Sequence, residues 1–181
     1  MEEFNELLRL EFGPYGSLTD LQVSQLKRHY DLLCQWNQKI NLTRIVDLKE
    51  SVRLNYCESL FLAQALPPGP LRIIDVGSGA GFPGIPVAVF RPECAVDLVE
   101  SHLRKAAFLR EATLELPNVK VIVARAGECA QDYDWVISRA VGTDQVRKLG
   151  LAPNSALLTS GSKGIKLPWG RERRLVLTRS T

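Results

Sequence analysis

The sequence predicts an α/β protein in which a small helical element precedes a mostly parallel β-sheet. Helical spacing of apolar residues fills the first 66 positions. A Pro-Pro-Gly-Pro run interrupts the chain at 67–70, and short apolar segments then alternate with helical ones. This alternation is typical of βαβ units and a parallel sheet. We therefore divide the chain into an N-terminal helical element, residues 1–66, and a second domain, residues 67–181.

Helix starts and breaks are visible in the N-terminal element. Gly13-Pro14 ends a first short helix. Thr19 and Gln22 have the spacing of a capping box, and the apolar residues that follow keep to one face of a helix. Asp47 and Glu50 form a second capping signal. The sequence therefore predicts three helices before the proline-rich run.

Five short apolar segments are candidate strands. Strands of a parallel sheet are buried on both faces, so continuous apolar runs are expected instead of alternation. The candidates are Leu71–Val76, Ala95–Val99, Val119–Val123, Trp135–Ser138 and Ala156–Thr159. Helical stretches lie between the first of them, and the clearest predicts a helix over Leu103–Leu116.

The last candidate strand, Arg174–Arg179, follows the fifth strand after little more than Gly161–Gly170. A parallel connection takes a dozen or more residues and usually a helix, whereas a hairpin needs only a few. The last strand is therefore predicted to pair antiparallel with the fifth.

Composition and motif counts exclude several classes of protein. Hydrophobic residues make up 45% of the 181 residues and the net charge is only +3, which excludes disorder of the whole chain. No apolar run approaches the roughly 18 residues of a membrane span, and the acidic start is unlike a secretory signal. The four cysteines are scattered, and there are only two histidines. We therefore predict no metal site, no membrane association and a cytoplasmic location.

Charge is concentrated at the C-terminal end. Residues 141–181 hold eight basic and two acidic side chains. Such a segment favours an anion-facing surface, and nucleic acid is the commonest large polyanion. A solvated basic edge that keeps the protein in solution explains the charge equally well, so both interpretations stay open.

The densest motif is the run DVGSGAGFPG, from Asp75 to Gly84, directly after the first candidate strand. Glycines let the backbone turn sharply and approach a ligand. In doubly wound sheets, ligands bind at this end of the strands. The run lacks the Gly-Lys-Ser/Thr ending of a P-loop. A nucleotide-binding loop is the favoured interpretation, and a tight turn without a ligand is the alternative.

Glu100 ends the second candidate strand, 25 positions after Asp75. An acid there accepts hydrogen bonds from ribose hydroxyls, in a dinucleotide as well as in an adenosine ligand. A solvated strand-end carboxylate is the alternative. Asp75 stands two residues before Gly77, which favours a ligand with an amino-acid moiety and no pyrophosphate. The Asp75-x-Gly77-x-Gly79-x-Gly81 pattern resembles the first motif of the class I S-adenosylmethionine-dependent methyltransferases, whose sheet is Rossmann-like.

A more specific resemblance covers the chain from about Trp36 to the end. The run DVGSGAGFPGIP resembles the ribosomal RNA small subunit methyltransferase G family, also called glucose-inhibited division protein B. Further matches in order and spacing are Asn41-Leu42-Thr43, Glu100-Ser101, Arg104-Lys105, Phe108-Leu109-Arg110, Ser138-Arg139-Ala140, Lys163-Gly164 and Glu172-Arg173-Arg174-Leu175.

The resemblance implies that S-adenosylmethionine donates a methyl group to N7 of a guanine in small-subunit rRNA. It further implies a monomer whose partner is that rRNA or the small ribosomal subunit. Arg139 would act where donor and guanine meet, with a strand-end ion pair as its alternative role. The implied cofactor-binding residues are Asp75, Gly77, Gly79, Gly81, Phe82, Glu100, Ser101, Ala126, Gly127 and Arg139.

Two departures from the family pattern concern the site and the last strand. Where the family shows His-x-x-Asp-Ser, this chain has Asn55 and Glu58. Glu58 is a candidate catalytic carboxylate that would stabilise the cationic product, and a helix-surface acid is its alternative role. The chain also nearly lacks a helix and a strand before the last strand, which implies a smaller sheet edge. Two other functions remain open: a methyltransferase for small molecules, and a non-catalytic relative that binds the cofactor or rRNA.

Overall fold

The computed structural model describes residues 2–130, 132–139, 141–170 and 172–180. The strands are β1 (Arg72–Val76), β2 (Ala95–Val99), β3 (Val119–Ile122), β4 (Trp135–Ser138), β5 (Asn154–Ser160), β6 (Ile165–Lys166) and β7 (Arg173–Thr178). The α-helices are α1 (Glu2–Phe12), α2 (Asp20–Asn37), α3 (Leu48–Glu50), α4 (Glu58–Ala65), α5 (Gly84–Phe90), α6 (Leu103–Ala112) and α7 (Thr143–Leu149). A π-helical segment, Ser51–Cys57, joins α3 to α4, and Ala126–Glu128 forms one 3-10 turn.

The seven strands form one sheet in the order β3-β2-β1-β4-β5-β7-β6. Strands β1 to β5 pair in parallel, whereas β7 is antiparallel to β5 and to β6. This confirms the predicted mostly parallel sheet with an antiparallel last strand. The strand order reverses between β1 and β4, and in doubly wound sheets ligands bind outside the carboxyl ends of the strands at this point.

Each face of the sheet is buried against a different part of the chain. Ile73 belongs to a core cluster that also contains Leu8 and Leu26 of the N-terminal helices. Its neighbour Ile74 points to the other face and packs with residues such as Val146 of α7. The N-terminal helices therefore share a core with the sheet, and the division of the chain at residue 67 stays a prediction.

The two predicted capping signals are present. The Thr19 hydroxyl accepts from the backbone N–H of Gln22 at 3.2 Å, and Gln22 Oε1 accepts from the Thr19 N–H at 2.9 Å. Asp47 Oδ1 accepts from the backbone N–H of Glu50 at 2.8 Å. Such caps satisfy backbone donors that the first helical turn leaves free, so they fix where α2 and α3 begin.

The prediction of a helix over Leu103–Leu116 was too long. Helix α6 ends at Ala112, and the Thr113 hydroxyl donates to the carbonyl of Leu109 at 2.8 Å. Pro117 disfavours helical backbone at the residue before it, which opposes continuation of the helix through Leu116. The chain turns after α6 and leaves Leu114 exposed.

A smaller sheet edge was expected near the last strand. This edge ends in the two-residue strand β6, which was not predicted. Ile165 and Lys166 are exposed and pair with β7. Gly164, just before them, has φ +99°, and a Cβ there would lie 2.6 Å from the carbonyl oxygen of Leu175. Glycine therefore permits the close turn into β6.

Two further observations concern compartment and membranes. All four cysteines are free thiols. Across the described ranges, every helix is too short or too polar to traverse a bilayer.

Candidate functional site

The glycine-rich loop after β1 has backbone angles that residues other than glycine rarely adopt. Gly77, Gly79 and Gly81 have φ values of +73°, +56° and +87°, all in the left-handed region. The backbone N–H groups of Gly77 and Ser78 donate to the carbonyl of Val99 at 3.0 and 3.1 Å, which ties the loop to the end of β2. The loop thus leads from β1 into α5 at the sheet edge where ligands bind in this class of fold.

Asp75 lies beneath this loop and is fully buried. Its Oδ2 accepts from the backbone N–H of Gly84 at 3.0 Å, whereas Oδ1 has no hydrogen-bond partner among the described residues. Burial raises the pKa of the Asp75 carboxyl to about 7, and the charge of Glu100 acts in the same direction. A buried polar atom without a partner is costly, so Oδ1 marks unused acceptor capacity beneath the loop.

We expect Asp75→Asn to change how stability depends on pH. The folded-state pKa of Asp75 lies above the ordinary value of 3.8, so its contribution is fully present below about pH 4 and declines up to about pH 7. Asparagine stays neutral throughout. Within this window, the free energy of unfolding of the variant should therefore rise relative to that of the wild type by roughly 1.4 kcal/mol per pH unit. Urea unfolding of both proteins from pH 4 to 8 measures this difference, and parallel stability curves would contradict it.

Glu100 joins the end of β2 to the glycine loop. Its side chain is buried, with Oε2 accepting from the Gly79 N–H at 3.1 Å and Oε1 from the His102 N–H at 2.8 Å. The carboxylate is thus oriented by two backbone donors, and each carboxylate oxygen can accept a further hydrogen bond. This geometry contradicts the alternative of a solvated strand-end acid.

The other predicted cofactor residues lie in different settings. Phe82 is buried, with its ring centroid 5.1 Å from that of His29 and 5.0 Å from that of Tyr56. Ser101 is exposed next to Glu100. Ala126 and Gly127 form the 3-10 turn beyond β3, where Ala126 is half-buried and Gly127 exposed. The Phe82 side chain therefore supports the glycine loop from within the core.

His29 was missed by sequence reasoning and links α2 to the glycine loop. It is buried, with Nε2 3.0 Å from the carbonyl oxygen of Ala80 and Nδ1 3.0 Å from the Tyr56 hydroxyl. A carbonyl only accepts, so Nε2 carries the proton and Nδ1 accepts from Tyr56. Burial lowers the pKa of His29 to about 4, which keeps the ring neutral. The sequence feature that could have identified His29 is its position between Leu26 and Leu33 on the apolar face of α2.

Arg139 lies directly after β4, on the other side of the strand-order reversal from the glycine loop. Its Nη1 donates to Asn55 Oδ1, and the Asn55 Nδ2 donates to the Ser51 hydroxyl at 3.2 Å. Burial lowers the pKa of Arg139, opposed by the charge of Glu58. Arg139 forms no salt bridge with a carboxylate of the described residues, so its alternative role as an ion-pair partner is not supported.

Glu58 is not a helix-surface acid, because its side chain is completely buried. Its carboxylate accepts three hydrogen bonds from the Arg173 guanidinium, at 2.8 to 3.1 Å. Arg173 is therefore not one of the solvated charges of a basic C-terminal edge, because this arginine neutralises a carboxylate in the core. The pair joins the start of β7 to the start of α4, and the charges of Glu58 and Arg173 both act on Arg139.

Two other features of the C-terminal segment bear on the predicted anion-facing surface. Trp169 contacts Tyr15 and Phe61 edge-on, with ring centroids 4.9 and 6.1 Å away, so it packs against the helices instead of offering a free ring. Ala140, which belongs to the Ser138-Arg139-Ala140 motif, and Arg171, one of the basic residues of this segment, lie outside the described residues. A group of three or more side chains able to hold a metal ion is absent from the described ranges.

Comparison with known proteins gives the family of the chain. A family model described as rRNA small subunit methyltransferase G matches residues 22–152. A Ribosomal RNA small subunit methyltransferase G from Roseiflexus castenholzii is 42% identical over 145 residues, which cover 76% of this chain and 62% of the relative. A protein of the same name from Chromobacterium violaceum is 44% identical over 127 residues, which cover 68% of this chain and 60% of the relative.

Solved structures share the fold at low sequence identity. Coclaurine N-methyltransferase, bound to N-methylheliamine and SAH, has a TM-score of 0.53 and 16% identity, covering 88% of this chain and 60% of its own. A SAM-dependent methyltransferase from Aquifex aeolicus has a TM-score of 0.50 and 18% identity, covering 66% of this chain and 72% of its own. These similarities confirm the Rossmann-like methyltransferase fold and extend no further.

The chain spans about three fifths of the length of the two curated relatives described above. The match to the family model nevertheless covers well over half of the chain. Both relatives are more than 40% identical to it over more than two thirds of its length. The chain therefore belongs to the rRNA small subunit methyltransferase G family.

Proposed function

We propose that this chain is an S-adenosylmethionine-dependent methyltransferase that modifies N7 of a guanine in small-subunit rRNA. Its relatives carry the name of an enzyme acting on small-subunit rRNA. The observation that carries the proposal is the arrangement of two groups around the strand-order reversal. The glycine loop, joined to Glu100, follows β1, and Arg139 follows the adjacent strand β4. A donor site and a substrate group are thus presented from neighbouring strands.

The residues of the loop fit the proposed cofactor. Glu100 has acceptor capacity left for the ribose hydroxyls of an adenosine. The unpartnered Oδ1 of Asp75 suits a donor such as an α-ammonium group. The left-handed glycines leave backbone, and no Cβ, facing the ligand. Phe82, Ser101, Ala126 and Gly127 complete the proposed set of residues around the cofactor. When bound, S-adenosylmethionine would supply an electrophilic methyl group on a sulfonium.

The chemistry asks for positioning and needs no general base. Guanine N7 has a lone pair and no proton, so a residue that removes a proton is unnecessary. Holding reactants in a productive geometry contributes roughly 7–11 kcal/mol in favourable cases. The Arg139 guanidinium donates one N–H to Asn55, and its other N–H groups can donate to an acceptor such as guanine O6. Asn55 thereby fixes the orientation of the proposed catalytic arginine.

Glu58 contributes to this site electrostatically in our proposal. Its carboxylate is bound to Arg173, so it is not available as a base. Its negative charge favours the cationic form of Arg139, and the charge of its partner Arg173 acts in the opposite direction. In our proposal Glu58 partly offsets the two arginines as positive charge develops on the methylated guanine. We therefore assign Glu58 a positioning and electrostatic role behind Arg139.

We expect Glu100→Ala to weaken S-adenosylmethionine and S-adenosylhomocysteine equally, because both contain the ribose that the carboxylate would bind. Losing hydrogen bonds to a charged group costs roughly 1.5–3 kcal/mol. Calorimetric titration of wild type and variant with both ligands measures this loss. Glu6→Ala, at an exposed position of α1, serves as the control. Tighter binding of NADH than of S-adenosylmethionine by the wild type would contradict the methyltransferase assignment.

Labelled methyl donor distinguishes the proposed function from its two alternatives. The wild-type protein is incubated with naked small-subunit rRNA and, separately, with assembled small subunits. Incorporation of label into either RNA supports the proposal. Label in small molecules alone would favour a small-molecule methyltransferase. Cofactor binding without any transfer would favour a non-catalytic relative that binds cofactor or rRNA.

We further propose that the protein acts as a monomer in the cytoplasm, with small-subunit rRNA or the small ribosomal subunit as its partner. The free thiols of all four cysteines are consistent with a reducing compartment. Gel filtration with light scattering measures the mass of the protein in solution, and a dimer would contradict the monomeric state.

A further inference from the structure

A cleft lies between the end of α2 and the start of α6, next to the proposed cofactor site. It has a volume of about 380 Å³. We call it the α2–α6 cleft, and its charged and polar lining includes Lys39, Asn41, His102, Arg104 and Lys105. Two chain segments that are far apart in sequence therefore bring three basic side chains to one depression.

The charge of this cleft is not neutralised by carboxylates. Lys39, Arg104 and Lys105 form no salt bridge with any described acidic residue, and the cleft lining contains no acid. Basic residues of α2, which precede the cleft residues in the chain, differ in this respect. Lys27 pairs with Asp31 at 2.6 Å, and Arg28 pairs with Glu115. The α2–α6 cleft thus presents three basic side chains that have no salt-bridge partner among the described residues.

The backbone of α6 adds to the positive potential of the cleft. This helix has ten residues and begins after His102. The His102 side chain makes no capping hydrogen bond, and the backbone N–H of His102 itself donates to Glu100. The first turn of a helix carries unsatisfied N–H groups and the positive end of the helix dipole. The three basic side chains and this helix end all favour the same kind of ligand, an anion.

The cleft is adjacent to the site proposed for the methyl donor. The His102 N–H at its rim donates to Glu100 Oε1 at 2.8 Å, and Glu100 Oε2 accepts from Gly79 of the glycine loop. One carboxylate thus connects the cleft to the loop. A polynucleotide whose target base enters the site must have backbone phosphates nearby.

We propose that the α2–α6 cleft binds a backbone phosphate of the RNA substrate, close to the nucleotide that is methylated. This inference rests on the proposed function, and it assigns the RNA to a surface other than the basic C-terminal segment. Phosphate oxygens suit lysine and arginine donors, and neutralising a phosphate makes binding depend on salt.

The test compares two double variants that each remove two positive charges. Lys39→Gln with Arg104→Gln changes the cleft, and Lys27→Gln with Arg28→Gln changes the neutralised pairs on α2. Binding of small-subunit rRNA is measured over a range of salt concentrations, and S-adenosylmethionine binding is measured by calorimetry. The cleft variant should bind RNA several-fold more weakly, with a salt slope smaller by about one unit for each phosphate that it no longer neutralises. It should keep wild-type affinity for the cofactor, and the control should match the wild type throughout.

Each other outcome is decisive. Equal RNA affinity and salt slope in both double variants would overturn the cleft proposal while the proposed function stands, provided that wild type methylates the RNA. Absence of binding by the wild type to both naked rRNA and assembled small subunits would overturn both. Weaker binding of the cleft variant to assembled subunits, with unchanged binding to naked rRNA, would assign the cleft to a ribosomal protein and overturn its assignment to RNA. Displacement of bound RNA by inorganic phosphate at the same concentration as the RNA would also overturn the cleft proposal, because the cleft would then be a site for free anions.

Discussion

Arg139→Ala is expected to lower methyl transfer at saturating RNA and donor by at least about 100-fold, the effect of removing one preorganised donor at a reacting centre. Arg139 follows β4 and its guanidinium is held by Asn55. Alanine removes every donor that the proposal assigns to the guanine. Single-turnover assays with labelled donor measure the rate, and calorimetry measures cofactor affinity in the same preparation.

Two further variants show whether the effect belongs to the positioned guanidinium. Asn55→Ala keeps Arg139 but removes the acceptor for its Nη1, so the rate should fall by a smaller factor. Arg110→Ala removes an exposed arginine of α6 and should leave the rate at saturating RNA unchanged. Full activity of Arg139→Ala would contradict the assigned role.

Arg173→Ala is expected to destabilise the fold by about 3–5 kcal/mol. The substitution would leave the carboxylate of Glu58 buried without its three hydrogen bonds, and breaking a buried pair by removing one partner has an effect of this size. Urea unfolding at neutral pH measures the free energy of unfolding. Arg179→Ala, at an exposed arginine just beyond β7, should change it by less than about 0.5 kcal/mol.

A double-mutant cycle isolates the pair itself. Glu58→Gln in the Arg173→Ala background replaces an unpaired charge with a neutral amide, so part of the lost stability should return. The double variant should therefore be less destabilised than the sum of the two single variants, as residues in direct contact usually are. Additive effects would contradict a direct ion pair between Glu58 and Arg173.

The sequence predicted the parallel strands because each of them contains a short, mostly apolar run that is visible in the chain. The predicted ranges Ala95–Val99 and Trp135–Ser138 coincide with β2 and β4. Strand β6 was not predicted, because two exposed residues carry no burial pattern. The predicted helix over Leu103–Leu116 was too long for a different reason. Apolar residues continue past Ala112 at helical spacing, but the Thr113 side chain and the following proline end the helix there.

The candidate site was predictable where its residues follow one another in the chain. The glycine loop and the strand-end acid Glu100 are local patterns with a physical reason. The partner of Glu58 lies 115 positions away, and no local signal connects Glu58 to Arg173. Asn55 stands in the π-helical segment Ser51–Cys57, where the wider turn departs from the 3.6-residue period on which helix-face arguments rest. His29 follows that period, but its period alone does not reveal that it binds Ala80 of the glycine loop.

The most direct measurement is the identity of the modified nucleoside. Small-subunit rRNA is incubated with the protein and labelled S-adenosylmethionine, digested to nucleosides, and separated by chromatography with mass spectrometry. N7-methylguanosine carries a positive charge and a labile glycosidic bond, so it is distinguishable from base-amino and ribose methylation. We predict N7-methylguanosine as the sole labelled nucleoside from wild-type protein, and its loss with Arg139→Ala. A labelled ribose 2′-O-methyl nucleoside, or no labelled nucleoside from any ribosomal substrate while the cofactor binds, would contradict the proposed reaction.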